Sequence, residues 1–161
     1  MENKFYITTP IYYANARPHL GHAFTAVYAD VIARRQKSKG KEVFFTVGTD
    51  EHGAKIAEAA EKSKKEPQNF VDKVAEEYKK TWKTLNIQYS DFIRTTSDRH
   101  KKGALAFVEK IYKSGDIYED VYEGLYCVGC ENFVLERNLQ DGLCPDHLIA
   151  PKKVKEKNHF F

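Results

Sequence analysis

The stretch KFYITTPIYYANARPHLGHAFTAVYADVIARRQKSKGKEVFFTVGTDEHG, residues 4–53, decides the fold. KFYITT (4–9) is short and rich in aromatic and β-branched residues, which predicts a buried strand. PIYYANARP then reads as a loop. From Gly21 to Ser38 the apolar residues Phe24, Val27, Val31 and Ile32 recur at helical spacing, and Gly40 supplies a stop. EVFFTV (42–47) is nearly all apolar, the pattern of a parallel strand covered on both faces, and it runs into a loop GTDEHG (48–53). Strand, helix and strand make a βαβ unit, so the chain is expected to be α/β with a parallel sheet.

The pattern continues outward from this unit. AKIAEAAEKSKK (54–65) reads as a helix. Pro67 opens another through QNFVDKVAEEYKKTWKTL, in which Phe70, Val74, Tyr78 and Trp82 fall four apart, placing Trp82 in the core. YSDFIR (89–94) predicts a third strand. Ser97 caps a helix carrying Leu105, Val108, Ile111 and Tyr112, which Gly115 ends. From Asp116 the chain changes to short alternating strands and turns around its cysteines, so a domain boundary is expected near residue 115, giving segments 1–115 and 116–161.

Composition narrows the function. The chain has 161 residues, 42% hydrophobic and 30% charged, enough for a packed core. Twenty-six basic against twenty-three acidic residues leave a net charge of +3, well short of a dedicated nucleic-acid binder. The basic clusters at 34–41, 62–65, 99–102 and 152–157 read as solvated faces. No run approaches the roughly 18 apolar residues of a membrane span, and the N-terminus passes at once into a strand without a signal-peptide pattern, so a cytoplasmic protein is expected.

Two constellations carry chemistry. HLGH (19–22) sits where the first strand hands over to the first helix. Ligands of open parallel sheets bind beyond the carboxyl ends of the strands, and the free N–H groups of a helix N-terminus favour anions there. Gly21 lets a flat group approach the backbone, while His19 and His22, three apart, can aim donors at one group. A polyphosphate under a purine, an incidental histidine pair and a metal site completed by His52 all remain open at this point. The second strand should deliver Asp50, Glu51 and His52 to the same crevice. Adjacent carboxylates point in different directions, so at most one is expected to enter the pocket, to bind an ammonium group or a ribose hydroxyl, and the other to be solvated. G-x-G-x-x-G is absent, which argues against a nicotinamide or flavin enzyme.

The second constellation is CVGCENFVLERNLQDGLCPDH. All three cysteines of the chain lie within eighteen residues, as Cys127-x2-Cys130 and, thirteen residues on, Cys144-x2-His147. Two pairs of this spacing match a tetrahedral zinc site, each pair on a tight knuckle. Four protein donors leave no position for water, so the expected Zn2+ is structural.

The runs TTPIYYANARPHLGH, FFTVGTDEHGAKI, SDFIRTT and YEGLYCVGCENF resemble the N-terminal part of bacterial methionyl-tRNA synthetases, class I aminoacyl-tRNA synthetases, over residues 4–161. HLGH is similar to that family's HIGH signature. The resemblance implies the N-terminal half of a Rossmann-like nucleotide-binding domain, followed by part of a small β-rich zinc-knuckle insertion. It implies ATP with Mg2+ as a substrate, His19 and His22 as catalytic groups holding its phosphates, and Gly21 lying against adenine. Ile11 and Tyr13 would line a methionine pocket, and Asp50 would bind the methionine ammonium, which leaves Glu51 expected to face solvent. Implied partners are methionine, ATP and tRNA(Met), with no membrane. The Cys3His set corresponds to a one-zinc knuckle.

The family's KMSKS signature and helical anticodon-binding domain do not occur in these residues, so the resemblance is to an incomplete N-terminal part that is expected to be inactive alone. Two other readings are compatible with the motifs. One is an HxGH-type nucleotidylyltransferase, against which the zinc pattern and GTDEHG count. The other is a non-catalytic zinc-bearing module that contacts tRNA.

Overall fold

The computed structural model describes residues 3–161. It divides into two compact units, one up to Leu105 and one from Ala106, with the division inside a helix. In the first, β1 (Lys4–Thr8), β2 (Tyr12–Tyr13), β3 (Glu42–Asp50) and β4 (Asp91–Arg94) form a parallel sheet with β3 in the middle. Thr46 pairs with both Thr8 and Asp91, and Thr49 with both Tyr12 and Arg94. β1 and β2 therefore follow each other along one edge of β3, and β4 occupies the other. The sheet alternates with α1 (Leu20–Ser38), α2 (Ala54–Lys62), α3 (Pro67–Thr84) and α4 (Asp98–Ser114).

The expected βαβ unit is present, with four differences. The segment expected to be wholly loop contains β2, whose Tyr13 lies opposite Asp50. β3 also continues through Gly48 and Thr49 to Asp50, because β2 and β4 offer ladder partners there that no local pattern announces. Neither β1 nor β3 is fully covered. Phe45 and Val47 are buried on one face, while Tyr6 and Phe44 stack on the other face with ring centroids 6.1 Å apart and remain exposed. Finally, α1 packs through Ala26, Ala29 and Ala33, and Phe24, Val27 and Val31 turn outward, Phe24 being 72% exposed. Small side chains let the helix approach the sheet closely, so alanine takes the inner positions.

The core of this unit joins that alanine row to Phe45, Val47, Ile56, Val71, Val74, Tyr78, Trp82 and Ile87. Trp82 and Tyr78 are its largest fully buried side chains, as the four-residue spacing on α3 predicted. Pro67 stands at the start of α3 and Ser97 caps α4, its Oγ accepting from the His100 N–H at 3.4 Å. Buried Asp30 of α1 accepts from the Gln88 N–H at 2.8 Å and from Arg34, which also donates to the Asn86 carbonyl. This strap fixes the turn leading into β4. α4 carries no buried residue, so its apolar Leu105, Val108 and Tyr112 are exposed.

The second unit is an antiparallel sheet in the order β6 (Asn132–Val134), β5 (Tyr118–Cys127), β7 (Lys152–Phe160). Its strands alternate. Tyr118, Tyr122, Phe133 and Phe160 meet on one face, with Tyr122 and Phe133 4.4 Å apart edge to face. Glu119 and Glu123 pair with Lys153, Lys155 and Lys157 on the other. Among the described residues no helix is long and apolar enough to cross a membrane.

Candidate functional site

In a parallel sheet all carboxyl ends share one side, and the ends of β2 and β3 and the entry to α1 lie there, with the Tyr12 and His22 rings 5.0 Å apart. β2 ends at Tyr13 and β3 at Asp50, paired residues that are both half-buried, while Ile11 just before β2 is exposed. The chain then enters α1 through HLGH.

The two histidines form a reciprocal cap. His19 is the residue preceding the helix, in extended conformation, and its Nδ1 accepts from the Gly21 N–H at 3.1 Å. Nδ1 of His22 reaches back to accept from the His19 N–H at 3.3 Å. The arrangement is the capping box usually made by Ser or Thr with Glu, here built from two imidazoles. The rings stack with centroids 3.7 Å apart. A side chain at Gly21 would place its Cβ 3.0 Å from His19 Cε1, so glycine also keeps the cap closed.

Since a backbone N–H can only donate, each Nδ1 must carry a lone pair and each neutral ring its proton on Nε2. The pair thus offers two Nε2–H donors at a helix N-terminus, where further N–H groups have no intrahelical partner. Burial, then the neighbouring His19, push the pKa of His22 below the ordinary value of 6.5, which keeps that ring neutral. This arrangement favours an anion and opposes a metal on Nδ1. The third ligand considered for a metal, His52, instead has Nε2 3.3 Å from the Thr95 carbonyl.

Glu51 differs from expectation. Its side chain is wholly buried and accepts from three donors, Thr49 Oγ1 at 2.6 Å, Arg94 Nε at 2.7 Å and the Thr96 hydroxyl, while its backbone N–H donates to Thr95 Oγ1 at 2.8 Å. Arg94 also donates to Asp72 of α3 at 2.6 Å, and this bond, followed by one from Gln68, holds the Asp72 carboxyl below its usual range. Two adjacent carboxylates do diverge as reasoned, but it is Glu51 that points inward to lock β3 to β4. Only its long-range partners, Arg94 and Thr96, betray this, and no spacing within GTDEHG does.

In the second unit Cys127, Cys130, Cys144 and His147 bring their donor atoms within 4.8 Å of one another. Cys130 Sγ lies 3.4 Å from Cys144 Sγ and 3.2 Å from His147 Nδ1, and Cys144 Sγ lies 3.9 Å from that nitrogen. Zn–S bonds of about 2.3 Å in a tetrahedron require edges of about 3.8 Å, so the spacing and chemistry of these donors fit zinc. As thiols they crowd one another: contact with Cys144, then burial, pushes Cys130 up to about 12, while Cys127 is lowered first by the Cys130 N–H and Cys144 first by His147. A Cβ at Gly129 would stand 2.4 Å from His147 Cγ. Glycine there is what lets the two knuckles meet.

A family model described as tRNA synthetases class I (M) matches residues 5–158. The methionine--tRNA ligase of Thermotoga maritima is 47% identical over 162 residues, which cover 98% of this chain and 26% of that protein. That of Clostridium tetani is 45% identical over 157 residues, covering 98% and 24%. This chain thus spans about a quarter of the length of the curated relatives it matches. Among solved structures, the Mycobacterium tuberculosis methionyl-tRNA synthetase in complex with methionyl-adenylate superposes with a TM-score of 0.91 at 34% identity, covering 99% of this chain and 32% of that one. A leucyl enzyme, Agrobacterium radiobacter LeuRS in a ternary complex with tRNA and LeuAMS, shares the fold at TM-score 0.80 and 23% identity. With a parallel sheet, a histidine-capped helix at its carboxyl end and a family match over nearly its whole length, the chain belongs to the class I tRNA synthetases, in the methionine group.

Proposed function

We propose that this chain is the N-terminal part of a methionine--tRNA ligase, which condenses methionine with ATP to methionyl adenylate and transfers the methionyl group to tRNA(Met). The observation that carries the reading is the reciprocal His19–His22 cap, whose Nε2–H donors and helix N-terminus suit an ATP phosphate. Segment 1–115 supplies half of the catalytic nucleotide-binding domain, and segment 116–161 begins the connective insertion. The methionine carboxylate attacks the α-phosphorus and pyrophosphate leaves, so no side-chain nucleophile is required. His19 and His22 hold phosphates as charge develops on them, with Gly21 against adenine. Asp50 accepts from the methionine ammonium, and Ile11 with the ring of Tyr13 faces the thioether. Cys127, Cys130, Cys144 and His147 hold a structural Zn2+ that ties the two knuckles. The protein works in the cytoplasm, where these substrates meet.

Methionine-dependent exchange of pyrophosphate into ATP by the complete protein tests this. His19→Asn or His22→Asn should lower the rate about 10²–10³-fold, the effect of losing one preorganised donor. Nucleotide transfer to a small phosphate ester, with no dependence on methionine, would support the HxGH nucleotidylyltransferase reading instead.

A further inference from the structure

His22 has a partner outside HLGH. The hydroxyl of Tyr78, on α3 and 56 positions further along the chain, lies 3.0 Å from His22 Nδ1. A hydroxyl can donate or accept, but this nitrogen already accepts from the His19 N–H, so it is unprotonated and Tyr78 must be the donor. Little freedom remains to the hydroxyl. Tyr78 is fully buried, its ring stacked on Tyr12 at 5.4 Å and 7° and set edge-on to Trp82 at 5.7 Å.

We propose that Tyr78 is a positioning residue for the phosphate-binding histidine: its hydroxyl donates to Nδ1 of His22 beside the longer bond from the His19 N–H, and the two donors together hold the ring as the Nε2–H tautomer, the form that can donate to a phosphate. The second half of this statement rests on the phosphate reading of HLGH. The groups facing His22 are His19 on its own helix, Tyr12 from β2 and Tyr78 from α3. None is a carboxylate that would favour the imidazolium. Burial, then the proximity of Tyr12, pushes Tyr78 up to about 12, so it keeps its proton across the working range. Solution imidazole samples both tautomers, whereas this one is ordered before any ligand arrives, which is the preorganisation that electrostatic catalysis requires. The core of the domain thereby sets the proton position at its surface.

Long-range 1H–15N correlation spectra of the histidine-labelled chain read the tautomer directly, with His22 assigned by loss of its signals in His22→Asn. At pH 8 the chain itself should show His22 as Nε2–H. In Tyr78→Phe the two ring-nitrogen shifts should move toward the tautomer average and the His22 pKa should rise by about half a unit to one unit, the value of one net hydrogen bond. Tyr12→Phe, which keeps the ring packing and leaves the Tyr78 hydroxyl in place, should change neither. In the complete protein Tyr78→Phe should raise the KM for ATP several-fold and leave that for methionine unchanged. A wild-type His22 found as Nδ1–H, or a Tyr78→Phe spectrum identical to wild type, overturns the proposal whatever the protein binds. A tautomer that responds to Tyr78→Phe together with an ATP KM indifferent to His22→Asn overturns the phosphate reading, and with it the role given to the donor.

Discussion

Arg94 Nε stands 2.7 Å from Oε1 of Glu51, a carboxylate with no solvent exposure, and so joins the end of β4 to the end of β3 beside Asp50. Neighbours in sequence thus divide the work: Glu51 fastens the strand, and Asp50 is left half-buried at its tip. Removing one partner of such a buried pair leaves the other uncompensated, at a cost of about 3–5 kcal/mol. Glu51→Gln should therefore lower the urea midpoint of the chain sharply, while Asp50→Asn should stay within about 0.5 kcal/mol of wild type. Equal stabilities for the two variants would contradict the division.

The histidine cap makes stability depend on pH. The folded state holds His22 below its ordinary value of 6.5, whereas the unfolded chain protonates it near that value. As pH falls below 6.5 the unfolded state therefore takes up a proton that the folded state resists, and the contribution of His22 is lost through the lower folded value. Asp72 loses its hold on Arg94 only further down, below the ordinary 3.8. Urea midpoints at pH 7.5 and 5 should fall with acid, and His22→Asn should flatten the difference. A midpoint that rises toward pH 5 would refute this origin.

Metal content tests the second unit. The donor set should hold one zinc per chain, and metal binding to such sites contributes about 10–16 kcal/mol of apparent free energy in small peptides. Chelation should raise hydrogen exchange from about residue 123 to 150 and leave the first unit protected. Gly129→Ala, whose Cβ would sit 2.4 Å from His147 Cγ, should release zinc at chelator concentrations the wild type resists. Protein purified without chelators and free of metal would rule the site out.

The fold was legible where a pattern is local. Strand, helix and strand over 4–47, Pro67, Ser97 and the four-residue spacing ending at Trp82 all rest on nearest neighbours, as does the Cys-x2-Cys and Cys-x2-His spacing. What depended on distant partners was not. Two residues, Tyr12 and Tyr13, are too few to show a period, yet β3 makes them a strand. Ala26, Ala29 and Ala33 carry a weak hydrophobic signal, so Phe24, Val27 and Val31 marked the helix while the alanines packed it. Glu51 looked like a surface carboxylate until Arg94 arrived from 43 positions away. His22 gave its motif at sight, but the donor that orders it, Tyr78, read only as core.

The central claim, that this crevice activates methionine on ATP, is tested most directly by Asp50→Asn in the complete protein, which keeps the shape of the side chain and removes its charge. One charge-assisted bond to the methionine ammonium is worth about 1.5–3 kcal/mol, so the KM for methionine in pyrophosphate exchange should rise by about one to two orders of magnitude. The KM for ATP should change little. A variant whose methionine KM stays at the wild-type value, or whose ATP KM rises instead, would assign Asp50 to the ribose and contradict the account.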